Sequence, residues 1–257
     1  MPANLLTAAA ASLAALVPGA AALAPALTLP SAATAVVAAS AERCATPAMF
    51  TFTPTSGSYL GAKITREVVA GAANCASAKG VPSFVKSVNA SANAQLAQWK
   101  TDWKSMKVPG LPTMGSYGRT NSVVTDVPGL VVLKGRADLY YGGAHGVDTV
   151  TYDILNTGTG ALVTKDSMLD EMQGLGGPNW NFERELNHWA PTIEGLPAGP
   201  ITRDLVSLYP ARTGMHVAVG HCAAYACAAG VVEYTIPWSS LVAPDADLSF
   251  VPNAWGL

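Results

Sequence analysis

The sequence predicts an α+β fold: an antiparallel β-sheet with one long packed helix and short inserted helices. Three observations predict it. Runs of alternating apolar and polar residues, bounded by Gly, Pro and Asn turns, recur around Met49 to Pro54, Tyr117 to Leu155 and Met215 to Trp238. One stretch, Val81 to Met106, instead keeps three- and four-residue apolar steps. Shorter helical patterns, Lys165 to Met172 and Asn181 to Ala190, fall between strands rather than alternating with them as in a parallel-sheet protein.

Of the 257 residues, Met1 to Ala41 carry no charge at all. They are apolar, interrupted by Pro18, Pro25 and Pro30, and end in the small-x-small site Ala39-Ser40-Ala41. This pattern predicts an export signal peptide over residues 1–41, although no Lys or Arg precedes the apolar run. The alternative is a retained anchor. It is disfavoured by the three prolines and the abundant alanine, because a span needs about 20 strongly apolar residues. The remainder, Glu42 to Leu257, is expected to form a single domain with no stable membrane insertion after cleavage. Charged residues make up 12% of the chain and the formal net charge is −2, so no basic patch points to nucleic acid.

The mature chain is read in order as follows. Met49 to Pro54 is a strand and Thr55 to Ser58 a turn, with a second strand between Tyr59 and Val69. In Val81 to Met106 the apolar positions are Val81, Phe84, Val85, Val88, Leu96, Trp99, Trp103 and Met106, with Pro82 in the first turn. Trp99 and Trp103 stand one turn apart. They suit packing on a sheet better than an aromatic ligand platform. Asn89-Ala90-Ser91 matches a glycosylation sequon, but inside a helix it is expected to be chance. Tyr117 to Asp126, Leu130 to Tyr141 and Val147 to Leu155 form an antiparallel meander, and Asn156 to Gly160 reverses the chain into Ala161 to Thr164. Ile201 to Leu208 is expected as a short helix, Met215 to Val219 as a strand, and Val231 to Trp238 as the last strand.

Between the second and third strands of the meander lies Gly142-Gly143-Ala144-His145-Gly146, too rich in glycine for a strand interior and suited to a corner. Tyr140-Tyr141-Gly142-Gly143-Ala144-His145-Gly146, then Tyr152-Asp153, then a Gly-containing turn before Leu162 to Leu169, resembles the RsiV-like family of bacterial extracytoplasmic domains. A second patch, Gly214 to Leu241 with Tyr225 and Gly230, fits the same pattern. The family carries a domain of unknown function. Its members include the sensing domain of a lysozyme-responsive anti-sigma factor and a secreted immunogenic antigen of mycobacteria. The resemblance implies an exported, non-catalytic binding domain contacting a protein or cell-envelope ligand, with lysozyme-like proteins a conceivable partner class. No cytoplasmic segment precedes the apolar leader, which favours the secreted type of member. Tyr140, Tyr141, His145, Asp148 and Tyr225 are the candidate binding residues.

Four cysteines fit an oxidising compartment and allow three pairings. Locality favours Cys44–Cys75 and Cys222–Cys227. A zinc site is disfavoured because the spacing is not Cys-x-x-Cys, and no metal or other cofactor is expected.

Motifs for chemistry are sparse. Gly-x-Ser-x-Gly, a phosphate-binding Gly-rich loop ending in Gly-Lys-Ser/Thr, and His-Glu-x-x-His are all absent. His145 and Asp148 could form two-thirds of a nucleophilic triad, which leaves a secreted hydrolase of envelope polymer or ester as the alternative function. A surface antigen without a discrete ligand is a further one. Glu183, Glu185 and His188 are expected to be a solvated helix face. His216 is expected to be a half-exposed sheet residue and His221 loop surface. Asp148, Asp153, Asp166 and Asp170 are indistinguishable as candidate acids, except that Asp166 could belong to a helix cap formed with Thr164.

Overall fold

A computed structural model describes residues 49–106, 114–124, 129–142, 145–175, 180–193 and 199–243. The expected export signal, Cys44, and Gly143 and Ala144 of the corner lie outside the described residues. Strand β1 (Phe50–Tyr59) pairs antiparallel with β2 (Ala62–Gly71). The turn expected at Thr55 to Ser58 is strand instead, and the chain reverses at Leu60-Gly61, both at positive φ (49° and 86°). Positive φ at both central positions is the two-residue turn whose twist matches the flanking strands, and glycine accepts that conformation without strain. Pro54 sits in β1, at the sheet edge, where a missing N–H is tolerated.

Helix α1 (Val81–Met106) crosses from β2 to β3 (Ser116–Val124), which therefore pairs parallel with β2. Among the described residues this is the one parallel pair in an otherwise antiparallel six-stranded sheet, continued by β4 (Leu130–Tyr140), β5 (Val147–Asn156) and the two-residue β6 (Leu162–Val163). The parallel ladder ends at Arg66 opposite Arg119. Beyond it, side chains take over the backbone pairing. Asn89 of α1 donates to Val69 O at 2.7 Å and accepts from Val69 N at 3.1 Å, and Glu67 accepts from Asn121 N at 2.6 Å. The sequon asparagine is thus spent on closing a strand edge.

A second layer stands against the other face. It contains α2 (Lys165–Leu175), α3 (Phe182–Trp189), a three-stranded antiparallel sheet of β7 (Val206–Ala211), β8 (Gly214–Val219) and β9 (Val232–Pro237), and the single-turn helix α4 (Trp238–Leu241). Helix α2 starts with a reciprocal cap, Ser167 N to Thr164 Oγ1 and Thr164 N to Ser167 Oγ, both 3.1 Å. Asn181 caps α3 by accepting from Arg184 N at 2.9 Å. The short helix expected at Ile201 to Leu208 is a 3-10 turn at Arg203–Leu205 followed by strand β7. Val206 and Leu208 face the core while the Ser207 hydroxyl donates to Val150 O of β5 at 2.8 Å, a period of two that packing imposes on a helix-compatible sequence.

Strand β4 explains its own apolar run. Val131 and Leu133 pack under Val81, Phe84 and Val88 of α1, while Leu130 and Val132 join the core formed with Met168, Leu186, Met215 and Ile236. Both faces are covered, so the run is continuous rather than alternating. At the far end of α1, Trp99 and Trp103 stack at 5.9 Å against Ala62, Ile64 and Tyr117, each only 1% exposed, so they are core and not a platform.

Candidate functional site

The five residues nominated from the sequence fall in different parts of the fold. Tyr140 is half-buried at the end of β4, opposite Ser116. Tyr141 turns under α1, its ring 6.2 Å from Trp99 and its hydroxyl 3.5 Å from Asp102 Oδ2. Burial, reinforced by that carboxylate, pushes the phenol up to about 12. Asp148 accepts from Arg136 Nη2 at 2.9 Å and lies across the ladder from Asp138, whose carboxyl is pushed up by burial and by Asp148 itself. Tyr225 is 3% exposed and donates to Pro191 O at 3.0 Å. His145 is exposed, with Nδ1 donating to the neighbouring Gly146 O at 3.1 Å. Among the described residues no hydrogen bond joins His145 to Asp148.

His145 does have an unexpected neighbour. Its ring stacks on His221 at 5.8 Å and 28°, although the two come from connections in different sheets. His221 is half-buried rather than loop surface, and neither of its ring nitrogens has a hydrogen-bond partner among the described residues. Beside it, Cys222 and Cys227 form a disulfide that closes the β8–β9 loop. The atoms of His221, Cys222 and Cys227 that could ligate a metal lie within 4.8 Å of one another, but the two sulfurs are bonded together and so are not thiolates. Cys75 is fully buried and disulfide-bonded, and its expected partner Cys44 lies outside the described residues. Glu185 is buried and accepts from Arg184 Nε at 2.9 Å, while Glu183 accepts from Arg203 N, so the acids of α3 are structural.

A second arrangement lies on the α1 face of the sheet, between its two apolar clusters. Arg119 of β3 is 2% exposed. Its Nη1 donates to Gln95 Oε1 of α1 at 2.8 Å and its Nη2 to Thr151 Oγ1 of β5 at 3.3 Å. Gln95 in turn donates to Thr149 Oγ1 at 2.7 Å and accepts from the Tyr117 hydroxyl at 3.2 Å. The guanidinium passes over Gly135, where any Cβ would collide with it. Arg119 Nε, both amide atoms of Asn121, and Asp153 Oδ2 are buried without hydrogen-bond partners among the described residues. Burial raises the Asp153 carboxyl above the usual carboxylate range, and the Arg119 charge offsets this only in part.

This seam meets a cleft of about 310 Å3 at the open edge of β5, where β6 covers only Ile154 and Leu155. Phe84, Ser87 and Ser91 of α1 form one wall, Thr151 and Asp153 the floor, and Val206 to Leu208 the far side. Sequence reasoning missed Arg119, Asn121 and Gln95. A signal was present: Arg119 and Asn121 alternate in phase with buried Tyr117, and Thr151 and Asp153 with buried Leu155, so all four occupy inward positions.

No family model and no curated protein matches the sequence. Among the described residues no helix is long and apolar enough to cross a membrane. Among solved structures, the chain is similar to a DUF3298 family protein of Pseudomonas aeruginosa PAO1, with a TM-score of 0.48 and 12% identity over 76% of this chain and 94% of that one. It is also similar to a member of the same family from Bacteroides fragilis NCTC 9343, with a TM-score of 0.44 and 14% identity over 74% of this chain and 90% of that one.

Proposed function

We propose that the chain is an exported, non-catalytic binding domain of RsiV-like type that contacts a protein or cell-envelope ligand. Its contact surface is the end of the molecule where His145 and His221 meet. One observation carries the reading: the Gly-His corner of the large sheet and the disulfide-closed loop of the small sheet converge, ring on ring at 5.8 Å. Binding residues concentrate on loops held by a rigid scaffold, and a disulfide pre-orders one of these two loops. Among the described residues His145 Nδ1 is held by the backbone, donating to Gly146 O, which fixes the ring on the loop it comes from.

The test is titration of the immobilised full chain with a lysozyme-fold protein and, separately, with purified cell-wall fragments. Saturable binding to one of them, weakened by both His145→Ala and His221→Ala at unchanged melting temperature, is the expected result. Binding to neither, or binding indifferent to both substitutions, would overturn the assignment of this surface.

A further inference from the structure

We infer that the β8–β9 loop is a redox-gated site for a thiophilic divalent cation, Zn2+ above all: once the Cys222–Cys227 bridge is reduced, the two thiolates and the His221 imidazole hold one ion. The inference goes beyond the loop-end contact surface. A cation can bind with no macromolecule present, so either assignment can fail alone.

The donor atoms are already gathered. One ring nitrogen of His221 and the sulfurs of Cys222 and Cys227 lie within 4.8 Å of one another. While the bridge stands, the sulfurs are bonded together and offer no thiolate, so the oxidised chain is not a metal site. A four-coordinate zinc ion takes its donors at about 2.0 to 2.3 Å, which sets them about 3 to 4 Å apart. The three atoms need only small movements to reach that spacing. Neither ring nitrogen of His221 has a hydrogen-bond partner among the described residues. Buried polar atoms are ordinarily paired, and an ion between the imidazole and the sulfurs supplies the missing partner. Access is through the cysteines, neither of which is buried.

The loop does not depend on the bridge for its shape. Tyr225, between the two cysteines, is 3% exposed and donates to Pro191 O at 3.0 Å. Ala224 O accepts from Gly199 N at 2.6 Å, and Gly220 N donates to Leu205 O at 3.2 Å. Within the loop, Ala223 N donates to Gly220 O and Gly230 N to Cys227 O. These bonds survive reduction, so the donors stay preorganised.

The donor set selects the cation. Gly220 to Gly230 contains no Asp, Glu, Lys or Arg. Hard cations such as Ca2+ and Mg2+ need oxygen ligands that the loop lacks, whereas two thiolates and an imidazole suit Zn2+ and cancel its charge. Opening the gate is a two-electron exchange with a dithiol. Its thiolate attacks one sulfur and its second thiol resolves the mixed disulfide. The dithiol leaves as its own disulfide, and Cys222 and Cys227 become thiols. Binding the ion then releases two protons.

The experiment uses the full chain, reduced by a resin-bound dithiol, separated from it without oxygen and titrated with Co2+ as a visible substitute for Zn2+. The reduced chain should bind one Co2+ with a thiolate-to-metal charge-transfer band and the intense visible bands of a four-coordinate ion. Zn2+ should displace it with a Kd of about 1 μM or tighter. The oxidised chain should show neither band. Cys222→Ser should abolish the four-coordinate spectrum, which separates this loop from any thiol that reduction frees at Cys75. His221→Ala should keep a charge-transfer band but weaken binding by about tenfold or more. His145→Ala should still bind the ion. The inference is overturned if the reduced chain gives no charge-transfer band, if the parent spectrum persists in Cys222→Ser, or if His221→Ala binds as tightly as the parent. Loss of cooperative melting in the reduced, metal-free chain would overturn it as well, because the loop would then not hold its donors in place.

Discussion

On the side of the large sheet turned away from α1, Glu233 of β9 accepts from Lys134 at 2.6 Å, lies 3.1 Å from His216 Nε2 and receives the Tyr152 hydroxyl at 3.3 Å. On the α1 side, Asp153 of the adjoining strand position has an oxygen buried with no partner. Burial raises both carboxyls. For Glu233 the hydrogen bonds and charges of Lys134 and His216 outweigh burial, and the group is held below the usual range. For Asp153 burial wins over the more distant Arg119 charge, and the group is held above it. The same fold therefore satisfies one acid completely and leaves the other exposed to a cost. The opposite shifts follow from whether a cation reaches the carboxylate directly, as at Glu233, or only through space, as at Asp153.

The largest effect expected on the α1 face comes from its apolar end. Trp99→Ala should cost about 4 kcal/mol in urea unfolding, because a buried indole leaves a cavity between Trp103 and Tyr117. A cost below about 1 kcal/mol would show that the two ends of α1 are not anchored alike.

Arg119→Met sharpens the comparison more directly. It removes one of the two hydrogen bonds that Gln95 Oε1 accepts and a charge that favours ionised Asp153, for a loss of about 3 kcal/mol. Adding Asp153→Leu should restore part of that loss. If the double variant is no more stable than Arg119→Met, the two groups are not coupled.

Lys134→Ala on the other side should cost about 0.5 kcal/mol, because that ion pair is roughly one-third exposed and screened by solvent. Unfolding in high salt should shrink the difference further.

The smallest effects are in pH dependence, and their signs are opposite. Asp153 is raised, so its contribution is fully present below the ordinary carboxylate pKa and is lost as pH rises through its folded value. Asp153→Asn should therefore flatten a decline in stability above the ordinary carboxylate range. Glu233 is lowered, so its contribution is present above that range and is lost as pH falls through its folded value. Glu233→Gln should flatten the acid limb instead. Identical profiles for the two variants would remove the distinction drawn between the faces.

The sequence by itself determined α1, through the unbroken apolar step from Val81 to Trp103. It also determined the β3–β4–β5 meander and the local bridge Cys222–Cys227. These rest on periodicity and short separation, which a chain displays before it folds. The β7 strand was hidden because Ile201 to Leu208 is compatible with either period, and only packing against β5 chose between them. The first hairpin turn was displaced because Thr55 and Ser56 accept extended backbone as readily as a turn. Asp153 looked like any other acid, and His221 like any loop residue. What makes them candidates is position: Asp153 under α1 beside Arg119, and His221 against a histidine 76 residues earlier in the sequence. Burial and the pairing of distant groups are properties of the folded chain, so only the tertiary structure could decide which polar residues it leaves unpaired.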